Sequence, residues 1–203
     1  MVFTDILTSQ LFVLGFVGLV LVYMAVDFYL SYRKGKARGK DLAPGSIPLF
    51  MLGGYELISG LFGQFLWPLP GSYNILFYDV YVMMGLVIIS AAWAIRSKAS
   101  LRYTGFLSML AGFMASYYGI IGYMHGLSQA PIFLLLLYLG YGFSGILGFP
   151  VTGLFDNIQD GVKIKSKLWI GVLGLFALSL LLASILAILT AASAVPSHLA
   201  SPP

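Results

Sequence analysis

The sequence predicts an all-α polytopic membrane protein, one transmembrane domain of six helices with both termini on the outer side. Three observations carry that prediction. The chain of 203 residues is 60% hydrophobic and 9% charged, a composition that would leave a water-soluble fold with a largely apolar surface. Its apolar stretches are continuous over about 20 residues, the length of a helical span, where a β-barrel would show segments of about 10 residues with alternating polarity. All 11 Lys and Arg residues fall in three short clusters, Arg33 to Lys40, Arg96 to Arg102 and Lys163 to Lys167. Short cytoplasmic loops retain such residues and translocated ones shed them.

The first span runs from Leu11 to Tyr32 and stops at Arg33. The second runs from Ser46 to Leu66 and ends before Trp67-Pro68, an interfacial aromatic followed by a helix stop. The third covers Tyr73 to Ile95, the fourth Leu101 to Met124, the fifth Pro131 to Phe155 and the sixth Leu168 to Val195. With loop 33–45 in the cytoplasm, alternation places loops 96–102 and 156–167 there too. The amino terminus, Trp67 to Asn74, His125 to Ala130 and the tail from Pro196 to Pro203 then face outward, and none of them from Trp67 on contains Lys or Arg. The expected location is the cell membrane. No cation precedes the first apolar run, so a cleaved signal peptide is not expected.

Composition also removes several chemistries. The net charge of +4 sits at helix ends in short loops, which favours a topogenic role over nucleic-acid binding or capture of anionic lipid. Cysteine is absent and the two histidines are His125 and His198, so thiolate chemistry and multi-histidine zinc or haem sites within the chain are excluded. No span carries a lysine for a retinal Schiff base, and no Walker-type loop is present. No cofactor is expected. Gly142-Phe143-Ser144-Gly145 matches the serine motif of rhomboid proteases, but the mechanism needs a later helical histidine and His198 falls in the expected tail. Small residues at that spacing read as helix packing.

Carboxylates inside hydrocarbon are costly and mark candidate functional sites. Asp27, Glu56 and Asp79 are the three inside spans. Counted along their helices at about 1.5 Å per residue, they form a ladder in depth: Asp27 roughly 9 Å from the inner end, Glu56 near the midplane, Asp79 roughly 9 Å below the outer end. No cation lies deep in a span, so each acid is protonated, hydrogen-bonded to a neutral group, hydrated or matched by a bound cation. Those are the properties of a proton or cation path, and also of neutral acids tying helices together. Glu56 shares its face with Gly53, Ser59, Gly60 and Gly63, which directs it into the bundle. Gln64, Trp67, Tyr73, Asn74, Tyr78, Tyr81 and His125 lie near the depth of Asp79 and are candidates for an outer vestibule, or form an interfacial belt. Met51-Leu52-Gly53-Gly54-Tyr55 also parallels Met109-Leu110-Ala111-Gly112-Phe113, the trace that a duplicated hairpin would leave.

The stretch from Gly53 through Asp79, above all Trp67-Pro68-Leu69-Pro70-Gly71-Ser72-Tyr73-Asn74-Ile75-Leu76-Phe77, resembles an uncharacterised family of prokaryotic, largely archaeal, multi-pass integral membrane proteins. The resemblance implies a polytopic membrane protein and assigns no activity. Three functions compete from the residues themselves. The acids point to a small proton- or cation-linked transporter or channel component. Small loops and glycine-lined faces point to a non-catalytic subunit or scaffold, with a homo-oligomer or a larger membrane complex as partner beside the lipid bilayer. Asp79, His125 and nearby tyrosines have the residue types of an outer-interface enzyme acting on lipid or quinone.

Overall fold

The computed structural model describes residues 6–35, 42–162 and 166–200. Of the basic clusters, Lys36, Arg38, Lys40, Lys163 and Lys165 lie outside the described residues, as do residues 1–5 and 201–203. Six helices follow one another: α1 (Ile6–Arg33), α2 (Ala43–Leu66), α3 (Ser72–Ser97), α4 (Arg102–Met124), α5 (Pro131–Gln159) and α6 (Lys167–Ala200). Each is long and apolar enough to cross a membrane, and the described residues include no strand.

Three helix ends depart from the sequence-based expectation. α1 begins at Ile6 instead of Leu11 because Thr8 and Gln10 are buried against neighbouring helices. α5 continues to Gln159, so Asp156, expected in a loop, is helical. α6 passes through Pro196 to Ala200, so the segment expected as an outer tail is helix up to that point, with His198 in its last turn. Proline so near a helix end removes one backbone donor and leaves little helix beyond it to disrupt.

The helices form a ring in chain order, each against the next, and α6 closes back on α1. Across the ring, α1, α3 and α5 are joined by tyrosine hydroxyls. Tyr81 of α3 donates to the Gln10 carbonyl of α1 (3.2 Å), Tyr138 of α5 to the Leu76 carbonyl of α3 (2.7 Å), and Tyr141 of α5 to the Leu14 carbonyl of α1 (3.1 Å). The long side chains bridge helices whose backbones stand apart.

Described members of all three basic clusters lie at one end. There Phe28 of α1, Ile158 of α5 and Leu173 of α6 share an apolar cluster, with Leu42 against it. Asp156 reaches from α5 to the start of α4, where its Oδ1 accepts from the Leu101 nitrogen (3.0 Å) and its Oδ2 from the Ser100 hydroxyl (2.6 Å) and the Arg102 nitrogen (3.1 Å). A carboxylate there satisfies free helix donors and meets the positive end of the helix dipole. Exposed aromatic residues gather at both ends, Trp93 and Tyr103 at the basic end, Trp67, Tyr73 and Tyr123 at the other. Tyr73 and Trp93 stand about 30 Å apart along α3 at about 1.5 Å per residue, a separation that matches a bilayer's hydrocarbon core.

Within the ring, glycine faces draw neighbouring helices together in three pairs. In α2 and α3, Gly53 lies on Ile88, Gly60 on Val82, Gly63 on Tyr78, and Gly85 on the backbone of Glu56 and Leu57. In α4 and α5, Gly112 meets the backbone of Gly142, Gly145 and Ile146, while Gly105 meets Thr152 and Phe149. In α1 and α6, Gly15 and Gly18 receive Ile188 and Ser184. The rhomboid-like motif is thereby explained as packing: Gly142 and Gly145 lie on Gly112, and Ser144 is buried and donates to the Tyr141 carbonyl (2.9 Å). His198 is elsewhere, 3.5 Å from the Thr8 hydroxyl. The two similar pentapeptides differ at their glycines, since Gly112 is in contact and its counterpart Gly54 faces open space.

Gly112→Ala forces a methyl against α5 backbone and is expected to cost about 1–3 kcal/mol, read as a lowered Tm in detergent, while Gly54→Ala, with nothing within 4 Å of the added methyl, lowers Tm by nothing measurable. Because the chain has no cysteine, single-cysteine variants report sidedness. In intact cells a membrane-impermeant maleimide is expected to label Ser72→Cys and to spare Ser166→Cys, and the reverse pattern would invert the orientation.

Candidate functional site

Glu56 occupies the interior of the bundle. The glycine face of α2 brings it against α3, where a methyl on Gly85 would lie 2.6 Å from the Leu57 nitrogen and 3.1 Å from the Glu56 carbonyl carbon. The residue is 0% exposed, and neither carboxyl oxygen has a hydrogen-bond partner among the described residues. The hydroxyls of Ser59, Tyr81 and Tyr141 donate elsewhere, and the Gln10 amide uses one of its two hydrogens. Ser59 donates to the Tyr55 carbonyl (2.7 Å), the Gln10 amide to the Ser59 hydroxyl (3.2 Å), Tyr81 to the Gln10 carbonyl and Tyr141 to the Leu14 carbonyl. The Tyr81 and Tyr141 hydroxyls are within electrostatic range of the Glu56 carboxyl. An ionised carboxylate without a partner is costly in such surroundings, so Glu56 is held as the neutral acid or charge-matched by a cation.

Beside this cluster lies an apolar cavity of about 40 Å³ between α1, α3, α4 and α5, with Gln10, Tyr81, Tyr138 and Tyr141 in its wall. Glu56 is not part of that wall. Gln10, Tyr81 and Tyr141 are common to both.

Asp79 has a different environment. It is half-buried, and its two oxygens accept from the Gln64 amide (2.9 Å) and the Tyr118 hydroxyl (2.9 Å). One carboxylate therefore ties α2, α3 and α4 together, with neutral donors in place of a cation.

The structure brings Gln64 and Asp79 into contact and distributes the remaining outer candidates. Asn74 is buried and clamps the α2–α3 turn, donating to the Gly63 carbonyl (3.1 Å) and accepting from the Leu69 nitrogen (3.2 Å). Trp67, in a left-handed backbone conformation with φ 48°, ends α2 and is exposed; Tyr73 is exposed too. Tyr78 is buried on Gly63, and Tyr81 faces the central cavity. His125 is exposed at the end of α4, two turns and so about 10 Å beyond Tyr118.

Asp27 lies roughly 9 Å from the Arg33 end of α1. α1 extends past the start of α2 at the basic end: Met24 abuts Gly45, and Asp27 lines a groove of about 630 Å³ with Leu42, Pro44 and Pro48. It is thus level with the first turn of α2. The three acids occupy three separate environments and share no cavity described above. No group of three or more His, Asp or Glu side chains among the described residues is arranged to hold a metal ion.

Sequence reasoning missed Gln10, Tyr118, Tyr138 and Tyr141. Gln10 was read as part of an extramembrane segment, although a buried amide fits a helix interior once it is paired. The tyrosines carried a usable signal. Tyr78 and Tyr81 in α3, like Tyr138 and Tyr141 in α5, are spaced to share one helical face, and such a face with polar tips fits an interior that lacks water.

Tyr118→Phe removes one of the two donors to Asp79. The expected loss is about 0.6–1.7 kcal/mol, the range for hydrogen bonds between membrane helices. Combined with Gln64→Leu, the loss is expected to exceed the sum of the single effects, because the second deletion strands the carboxylate. A double-mutant cycle on detergent unfolding measures this.

No curated protein and no solved structure gives a significant match to the chain. Residues 1–201 match the family described as "Protein of unknown function (DUF981)". That match spans nearly the whole sequence and includes all six helices, so the chain belongs to the DUF981 family.

Proposed function

We propose that this protein is a small proton-linked transporter or channel component of the cell membrane, with Glu56 as its protonatable site and its basic end in the cytoplasm. The observation that carries the reading is the Glu56 carboxyl itself: fully buried, with no hydrogen-bond partner among the described residues, in range of two tyrosine hydroxyls that border a central cavity. A carboxyl group with satisfied partners would suit a purely structural tie, and Asp79 has that form. Glu56 lacks those bonds. Such a group is poised to exchange a proton or cation when the surrounding helices admit one.

The other two readings have less support. Much of the glycine surface that would serve a scaffold or subunit role is used between helices of this chain. An outer-interface enzyme would need Asp79 and His125 together, and they belong to separate environments.

The test is proton flux in proteoliposomes loaded with a pH-sensitive dye. Glu56→Gln, which keeps the shape and removes the titratable proton, is expected to bring flux down to the level of empty liposomes. Flux equal to that of the unsubstituted protein would remove Glu56 from the mechanism.

A further inference from the structure

A second cavity lies toward the basic end, with a volume of about 120 Å³. It reaches Thr104, in the first turn of α4, and Thr152 of α5. The smaller cavity reaches Leu7, in the first turn of α1 at the opposite end. Both are walled by Met84, Ala115 and Tyr141. The two spaces therefore follow one another through the bundle, with these three side chains at their junction.

The walls are chiefly apolar, and most of their hydroxyls donate to backbone carbonyls, while Thr104 bonds to the Ser90 hydroxyl (2.9 Å). In the larger cavity Ser108 donates to the Gly145 carbonyl (3.1 Å), Ser144 to the Tyr141 carbonyl (2.9 Å) and Thr152 to the Phe149 carbonyl (2.9 Å). Tyr138 and Tyr141 likewise donate to backbone carbonyls. A hydroxyl whose hydrogen is committed offers a lone pair alone. Together with the Gln10 amide and the Thr104 hydroxyl, these walls present uncharged polar groups at a few points, which suit water. At about 10–15 Å³ for each water, the cavities have room for about three and about eight molecules. An apolar constriction between them opens and closes conduction by wetting and dewetting.

We propose that the two cavities are halves of one axial path for water-borne protons, closed at mid-bundle by Met84 against Tyr141. This rests on the proton-linked reading of Glu56. Met84 is the moving part, since its unbranched side chain rotates about three bonds, whereas Tyr141 is tethered to the Leu14 carbonyl. The Tyr81 and Tyr141 hydroxyls lie within electrostatic range of Glu56.

Met84→Ala and Ala115→Leu test the path, each first shown to be monodisperse in detergent. In dye-loaded proteoliposomes Met84→Ala is expected to raise passive proton flux by about tenfold or more, the change given by a barrier lowered at one step, and Ala115→Leu to suppress flux. Stopped-flow light scattering is expected to show a parallel rise in osmotic water permeability for Met84→Ala. A folded Met84→Ala protein with unchanged water permeability and proton flux overturns the path, whether or not Ala115→Leu folds. The two proposals fail separately. If Glu56→Gln abolishes flux while Met84→Ala leaves both readouts unchanged, the path falls and the role of Glu56 stands. If the unsubstituted protein carries no protons, the role of Glu56 falls, and water permeability of Met84→Ala still decides the path.

Discussion

Three tyrosine hydroxyls, each bonded to a backbone carbonyl on another helix, set the spacing at the centre of this bundle. Tyr81, Tyr138 and Tyr141 connect α1, α3 and α5 pairwise. In hydrocarbon a phenol hydroxyl has no water to bond, so a carbonyl on a facing helix is the available acceptor. The ring of tyrosine is long and stiff, and it holds the inner helices at a distance that smaller side chains would let collapse. The small central cavity lies among them, and its polar lining is these hydroxyls and Gln10.

The opposite device operates around the perimeter. Glycines in α1, α2, α4 and α5 admit side chains or backbone of the next helix, giving three close pairs. Close pairs at the rim and spaced helices in the middle make a compact ring around a loosely filled axis. Glu56 lies where the two regimes meet. Glycines on its own helix press it toward α3, while the tyrosines that could have donated to it are already engaged with main-chain carbonyls. Its lack of partners follows from the packing on both sides. Asp79 shows that the same fold can satisfy a carboxylate when an amide and a free phenol are in reach.

At the basic end, electrostatics and packing coincide. Asp156 caps the start of α4 from a neighbouring helix, and α1 projects past α2 so that Asp27 reaches the level of the first turn of α2. Both acids thus lie beside the loops that hold the cations.

The helix count, the alternation of their direction and the gathering of cations at one end were legible in the residues alone, because span length and loop charge are local quantities that hydrocarbon thickness and translocation act on directly. The inward direction of Glu56 was legible too, from glycines at helical spacing. Which helices became neighbours across the ring was not, since hydrocarbon gives every apolar face a similar environment and leaves the choice to shape and hydrogen bonding. Hence the burial of Gln10 in α1 and the Tyr118 partner of Asp79 on α4 are not legible in the residues. Tertiary packing alone decided that Glu56 lies among donors already committed to backbone carbonyls, because that depends on the relative rotation of three helices, and no local pattern encodes it.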